Sequence, residues 1–124
     1  MENRKLLVEI ADNPQSLSYG LMHRQELADN QGMLFQFPYS LEASFWGKNT
    51  YIPLDVAFVN KNNEIIDVKN ITPLSTKLVR SEGFCNMAIE ANFGFFSKNN
   101  IKKGSKVKII KVSDSKFHEV EFYD

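Results

Sequence analysis

The richest chemistry in this chain lies in one run, Phe45-Trp46-Gly47-Lys48-Asn49-Thr50-Tyr51-Ile52-Pro53-Leu54-Asp55. Trp46, the only tryptophan, offers an aromatic face and one donor. Lys48 brings a mobile cation, Asn49 a donor and an acceptor, Thr50 a hydroxyl and Asp55 a carboxylate. Ring stacking plus directional hydrogen bonds is what sugar-like or nucleotide-like ligands need. The same residues have a second use, because Asn, Thr and Asp near turns bond to backbone and hold tight loops together. Both uses are open at this level.

Other reactive side chains have two readings as well. Arg24, in Gly20-Leu21-Met22-His23-Arg24, is either an anion-binding residue facing the run or a cation complementing the end of a helix. Glu90 and Asp55 both lie in strand-like context, and a spatial pair would suit acid–base work. Glu90 would equally serve as a cap for the segment that follows it. Cys85 falls on a face with Met87 and Ile89 and reads as a buried hydrophobe rather than a nucleophile. His23 and His118 have no carboxylate or cysteine at metal-ligand spacing, so neither a metal site nor a cofactor is expected.

These groups need elements to position them. Leu6, Val8 and Ile10 alternate with Lys5, Leu7 and Glu9, which suggests a first strand. Asn13 and Pro14 read as N-cap and first residue of a short helix, with Leu17 and Leu21 facing the core. Gly20 in that helix implies close packing against another element. Met33, Phe35 and Phe37 share one face of a strand that Pro38 is expected to end. Ala43 to Trp46 reads as a strand. Leu54 to Val59 and Glu64 to Val68 make a hairpin around the polar turn Asn60-Lys61-Asn62-Asn63. Pro73 to Glu82 has no assignable pattern. Phe84 to Ala91 alternates as a strand, and Asn92 to Asn100 reads as a helix carrying Phe93, Phe95 and Phe96. Lys106 to Val112 and Phe117 to Phe122 complete the set. The expected fold is mainly β, of α+β type: a small, partly closed antiparallel barrel with two short helices, a single domain over residues 1–124.

Composition narrows the partners. Of 124 residues, 43% are hydrophobic, ten of them Phe, enough for a filled core, and the formal net charge is zero. Lys98, Lys102, Lys103, Lys106, Lys108 and Lys111 form a basic run, but Lys106 and Lys108 alternate with Val107 and Ile109 as on the solvated face of an edge strand. Nucleic-acid binding is not expected. No apolar run approaches the roughly twenty residues of a membrane helix, so no membrane partner is expected either. A single cysteine and an N-terminus, Met1-Glu2-Asn3-Arg4-Lys5-Leu6, without a long apolar segment lead to a cytoplasmic expectation. A monomer or weak homodimer is expected.

The motifs Gly20-Leu21-Met22-x-Arg24, Gly32-Met33-Leu34-Phe35 and Phe45-Trp46-x-Lys48-Asn49-Thr50-x-Ile52-Pro53-Leu54-Asp55 resemble, in order and spacing, the family called domain of unknown function 192. The resemblance runs from about Val8 to Ile109 and implies a mixed, mainly β, cradle-loop-like barrel. It implies no activity, since fold does not dictate function. Many of the relatives it implies are exported with a leader. Two positions depart from the family pattern: Gly47 stands where methionine is usual, and Ser105 where aspartate follows glycine in a turn. Gly47 is expected to open space beside Trp46 and to shape any pocket there, and Ser105 to cap its turn only weakly.

The leading expectation is a non-catalytic domain that binds a small polar or carbohydrate-like ligand through Arg24, Trp46, Lys48, Asn49, Thr50, Asp55 and Glu90. One alternative is a hydrolase using Asp55 or Glu90 with Lys48. A second is a protein-interaction module exposing Phe93, Phe95 and Phe96.

Overall fold

The structure, a computed structural model, describes residues 3–124. Met1 and Glu2, which open the N-terminal stretch read above, lie outside the described residues. Among the described residues, nine strands and two short helices follow in the order β1 (Lys5–Ala11), α1 (Pro14–Tyr19), β2 (Gln31–Leu41), β3 (Ser44–Phe45), β4 (Leu54–Val59), β5 (Ile65–Ile71), β6 (Val79–Arg80), β7 (Cys85–Asn92), α2 (Phe95–Lys98), β8 (Lys106–Lys111) and β9 (Phe117–Tyr123). Seven strands form one sheet in the order β5-β4-β7-β2-β1-β9-β8, and β3 pairs with β6 beside it.

The sheet curls until its two edges meet at one end. Glu64 bridges to Lys106. Ile65 N–H donates to the Ser105 carbonyl at 2.8 Å, and Gly104 N–H donates to the Ile65 carbonyl at 2.8 Å. This is the partly closed barrel expected. One pairing differs from an all-antiparallel sheet: β1 and β2 run parallel, with α1 in the crossover that parallel neighbours require.

Two apolar clusters occupy the two faces. The inner one takes Leu6, Val8, Leu34, Ala57, Val59, Ile89, Val107 and Val120 from the sheet, and Phe95 and Phe96 plug it from α2. The outer one takes Met33, Phe35, Leu54, Val56, Phe58 and Ala88, and is covered by Leu21, Ala43 and Ile52 from the connections. Every residue of β4 is buried, so this strand cannot show polar alternation. Burying each such Val, Leu or Phe contributes about 2 kcal/mol, which makes the two-sided centre of the sheet its most stable part.

Several local expectations hold in detail. Asn13 caps α1, its side chain accepting from Ser16 N–H at 2.8 Å, with Pro14 at the first helical position. In the β4–β5 hairpin, the Asn60 side chain accepts from the backbone N–H of Asn62 and Glu64, and Asn63 takes φ +59°. Others change. β2 continues through Pro38 to Leu41, because its register with β7 shifts between Gln36 and Leu41 and no ladder donor is needed there. α2 spans only Phe95–Lys98, since Asn92 belongs to β7 and Gly94 takes the left-handed conformation before it. The unassigned Pro73–Glu82 stretch contains β6, which is short and visible only through its pairing with β3.

Candidate functional site

Glu90 is the centre of the site. Across β7, Glu90 stands opposite Val56 of β4 and Met33 of β2, so it faces the outer cluster. α1 ends above it. Gly20 takes φ +51° and ψ −128°, a conformation open essentially to glycine alone. A Cβ there would sit 3.2 Å from the Phe35 ring and 4.0 Å from Glu90 Oε1. The close packing expected of Gly20 is therefore against Phe35, directly over the Glu90 carboxyl.

Between the end of α1, β2 and the β3 loop lies a cavity of about 860 Å³. Its apolar walls include Leu17, Leu21, Phe35, Phe37 and Phe45, and Glu90 lies at its base. Phe45 meets Phe35 edge-on at 5.0 Å and Phe58 at 5.9 Å. Glu90 is 4% exposed, and no described residue hydrogen-bonds to its side chain. Burial alone pushes its pKa up to about 8, so the carboxyl is protonated at neutral pH.

Trp46, Lys48 and Asn49, all exposed, line the solvent side of the same cavity, and the buried Thr50 lines it behind them. Lys48 Nζ lies 5.3 Å from the Trp46 ring centre, a cation–π contact. Asn49 takes φ +55°, and its carbonyl accepts from His23 N–H at 2.8 Å. Thr50 donates its hydroxyl to the Lys48 carbonyl at 3.2 Å and its N–H to the Gly47 carbonyl at 3.0 Å. Within the run, Thr50 and the Asn49 backbone hold the loop, while Trp46 and Lys48 line the cavity. His23 sits between Tyr19 and Tyr51, at ring distances of 5.7 and 6.3 Å, and continues the aromatic surface outside the mouth.

Two candidates stand apart. Asp55 pairs with Ala91, one position out of phase with Glu90, and so faces the opposite side of the sheet. Its Oδ2 accepts from Gly94 N–H at 2.7 Å and anchors the turn into α2. Burial raises its pKa, opposed by that hydrogen bond. A catalytic pair of Asp55 and Glu90 is therefore not formed. Arg24 makes a forked ion pair with Glu9, with Nη2 to Oε1 at 3.0 Å, and does not line the cavity. α1 ends at Tyr19, so it is Glu9 and not the helix terminus that holds Arg24. The Arg24 hydrogen bond holds the Glu9 carboxyl below its usual range. Arg24→Ala is expected to lower stability by about 1 kcal/mol or less, in keeping with a partly exposed pair, and to leave the cavity intact. Urea denaturation would show it, and a loss above about 3 kcal/mol would mark a buried network instead.

Gly47 also differs from expectation. It lies outside this cavity, and a Cβ on it would fall 1.9 Å from the Thr72 carbonyl oxygen. The missing side chain leaves no space beside Trp46, because the Thr72–Leu74 backbone fills it. Ser105 caps its turn effectively: buried, it accepts from Lys102 N–H at 3.0 Å. Cys85 is buried as expected, and burial raises its thiol pKa. It joins Ala88 in the outer cluster, not Ile89, because the ladder is irregular at that end. Phe95 and Phe96 are core and only Phe93 is exposed, so the three do not form a patch. Among the described residues no group of three or more His, Cys, Asp or Glu is placed to hold a metal, and no helix is long and apolar enough to cross a membrane.

The apolar walls were the part that sequence reasoning missed. Leu17, Phe35 and Phe45 read as core, and only the costly Gly20 signalled that something lay beneath the helix end.

The fold has solved relatives. A candidate transcription regulator from Sinorhizobium meliloti 1021 superposes with a TM-score of 0.79 at 32% identity, over 82% of this chain and 79% of that one. A protein of unknown function from Novosphingobium aromaticivorans DSM 12444 gives a TM-score of 0.79 at 33% identity, over 82% and 73%. No curated protein matches the chain at a significant level. Residues 1–109 match the family described as an uncharacterized ACR, and with its three motifs placed on the end of α1, on β2 and on the cavity mouth, this chain belongs to domain of unknown function 192.

Proposed function

We propose that this protein is a non-catalytic small-ligand-binding domain, and that the ligand occupies the cavity between α1, β2 and the Trp46–Thr50 loop. The observation that carries this reading is Glu90: a buried carboxyl without a hydrogen-bond partner among the described residues, facing an open cavity of about 860 Å³. Burying an unpaired polar group costs on the order of 1–3 kcal/mol, and a leucine at this position would avoid that cost. A carboxyl kept at the base of a mostly apolar cleft is the usual mark of a binding site. The volume suits a ligand of sugar size with room for substituents. Trp46 supplies a stacking face, and Lys48 and Asn49 supply polar contacts at the rim. Asp55 and Glu90 face opposite sides of the sheet, so they do not form a two-carboxylate pair; Glu90 and Lys48 do line the same cavity, and binding without turnover of the bound compound is the outcome that separates this reading from a hydrolase using Glu90 with Lys48.

Titration with a panel of monosaccharides and amino sugars, followed by Trp46 fluorescence, tests the reading. A saturable shift is expected, because Trp46 is the only tryptophan and is 39% exposed at the mouth. Calorimetry on Trp46→Ala is expected to show affinity reduced about tenfold, the loss of one stacking contact. No saturable signal from any compound sinks the proposal.

A further inference from the structure

We infer that the ligand of this cavity carries a cationic amine, received at its base by the Glu90 carboxylate and enclosed by the aromatic walls. This rests on the binding reading above and names the chemistry that site would select.

The first observation is what surrounds Glu90. Its cross-strand neighbours are Val56 and Met33, and Gly20 and Phe35 lie above it, so the residues placed against it bring neither a charge nor a side-chain donor. The ionisable groups lining the rest of the cavity are Tyr19, Glu42 and Lys48, with Lys48 at the mouth over Trp46. Arg24 does not line the cavity and is paired with Glu9. Among the described residues no cation is placed against the carboxyl, which stays protonated and neutral in the free protein, and a cationic ligand is the partner that would ionise it.

The second observation decides between an amine and a hydroxyl. A hydroxyl would give Glu90 one neutral hydrogen bond, worth about 1 kcal/mol net. An ammonium adds a charge-assisted bond, roughly twice as strong, and pairs the buried charge. The lining favours the cation too, since it is rich in aromatic rings, among them Phe35, Phe45 and Trp46, whose π-systems attract positive charge. Lys48 at the mouth disfavours a second cation there. The fitting ligand is thus a small amphiphile with its ammonium deep and a neutral or anionic end outward, which describes amino sugars and amino acids.

Protons must balance. Burial keeps Glu90 protonated at pH 7 in the free protein, with its pKa pushed up to about 8. The amine arrives already protonated. Pairing then expels the Glu90 proton to buffer, close to one per ligand bound. A neutral alcohol would expel none.

The experiment is calorimetry at pH 7 in phosphate and in Tris, whose ionisation enthalpies differ. The probes are glucosamine against glucose and benzylamine against benzyl alcohol. Each amine is expected to bind at least tenfold more tightly than its alcohol partner, with release of close to one proton. Glu90→Gln is expected to reduce amine affinity at least tenfold and to abolish proton release, while circular dichroism and Trp46 fluorescence confirm that it folds. Alcohols that bind as tightly as amines, or amine binding that Glu90→Gln leaves unchanged, overturn the inference while the binding reading stands. Silence from all four probes overturns the inference. Silence from the wider panel as well removes the binding reading beneath it.

Discussion

Glu90→Gln is expected to gain stability over the wild type as pH rises, reaching an advantage of about 4 kcal/mol at pH 8, with the two proteins nearly equal at pH 4.5. The sign follows from where the proton sits. Unfolded, Glu90 titrates near 4.5, while burial in the folded protein moves this to about 8. Between those values the unfolded chain has released its proton and the folded protein still holds it. Each pH step across the window therefore favours unfolding, by about 1.4 kcal/mol per unit for a single group. Below 4.5 both states are protonated, and the full stability is present. Above 8 both are ionised, and the loss levels off. Glutamine keeps the shape of the protonated acid and does not titrate, so its unfolding curve lacks this slope. Urea denaturation of both proteins at half-unit steps from pH 4.5 to 8.5 measures the difference. Parallel curves would mean that the carboxyl is solvated or paired in solution, and the site would lose its foundation. A bound amine acts on the same quantity: by pairing the ionised carboxylate it restores much of the wild-type loss and does little for the glutamine variant.

That slope depends on a feature only partly legible in the sequence. The alternation of Cys85 to Ala91 places Glu90 on a definite face, but it cannot tell which face is buried. β7 lies between β4 and β2, so both of its faces are covered, one by the inner cluster and one by α1 and the β3 loop. Glu90 looks like an ordinary strand glutamate until that covering is known. Asp55 shows the complementary difficulty. Its motif neighbours Trp46 and Lys48 lie a few residues away, yet pairing with Ala91 turns it to the other side. A register is a property of two strands and cannot be read from either alone. Where a residue acts through a hydrogen bond to its own neighbours the signal is legible: Asn13 with Pro14, and Asn60 in its turn, act through residues two to four positions away, whereas Pro38 does not end β2 because pairing with β7 decides it. Where it came from distant chain, as with β6 or the Glu9–Arg24 pair, nothing nearby encoded it.

Gly47→Met, which places at this position the residue that the sequence resemblance implies, is expected to destabilise this protein by about 3 kcal/mol or more. The reason lies in the crossing of two backbones. A Cβ at Gly47 meets the Thr72 oxygen at 1.9 Å, the Thr72 carbonyl carbon at 3.0 Å and Leu74 N at 3.3 Å. A side-chain neighbour could rotate away, but a main chain cannot. The crossing is also clamped: Gly47 N–H donates to the Ser75 carbonyl at 2.9 Å, and Leu74 N–H donates to the Gly47 carbonyl at 2.8 Å. Moving the strands apart sacrifices both bonds, at about 1 kcal/mol each, and disturbs the loop that carries Trp46 and Lys48. Because the collision begins at Cβ, Gly47→Ala is expected to show most of the loss, with the rest of the methionine adding little. Ligand affinity should fall less than stability, since Gly47 does not line the cavity and acts on it only through the loop. Urea midpoints for both variants, with amine affinity measured at a temperature where each stays folded, separate the two effects. A methionine variant as stable as the wild type would show that the Thr72–Ser75 segment gives way without cost. Any side chain at this position requires a wider crossing, so the glycine and the close approach of the two loops are one feature of this chain.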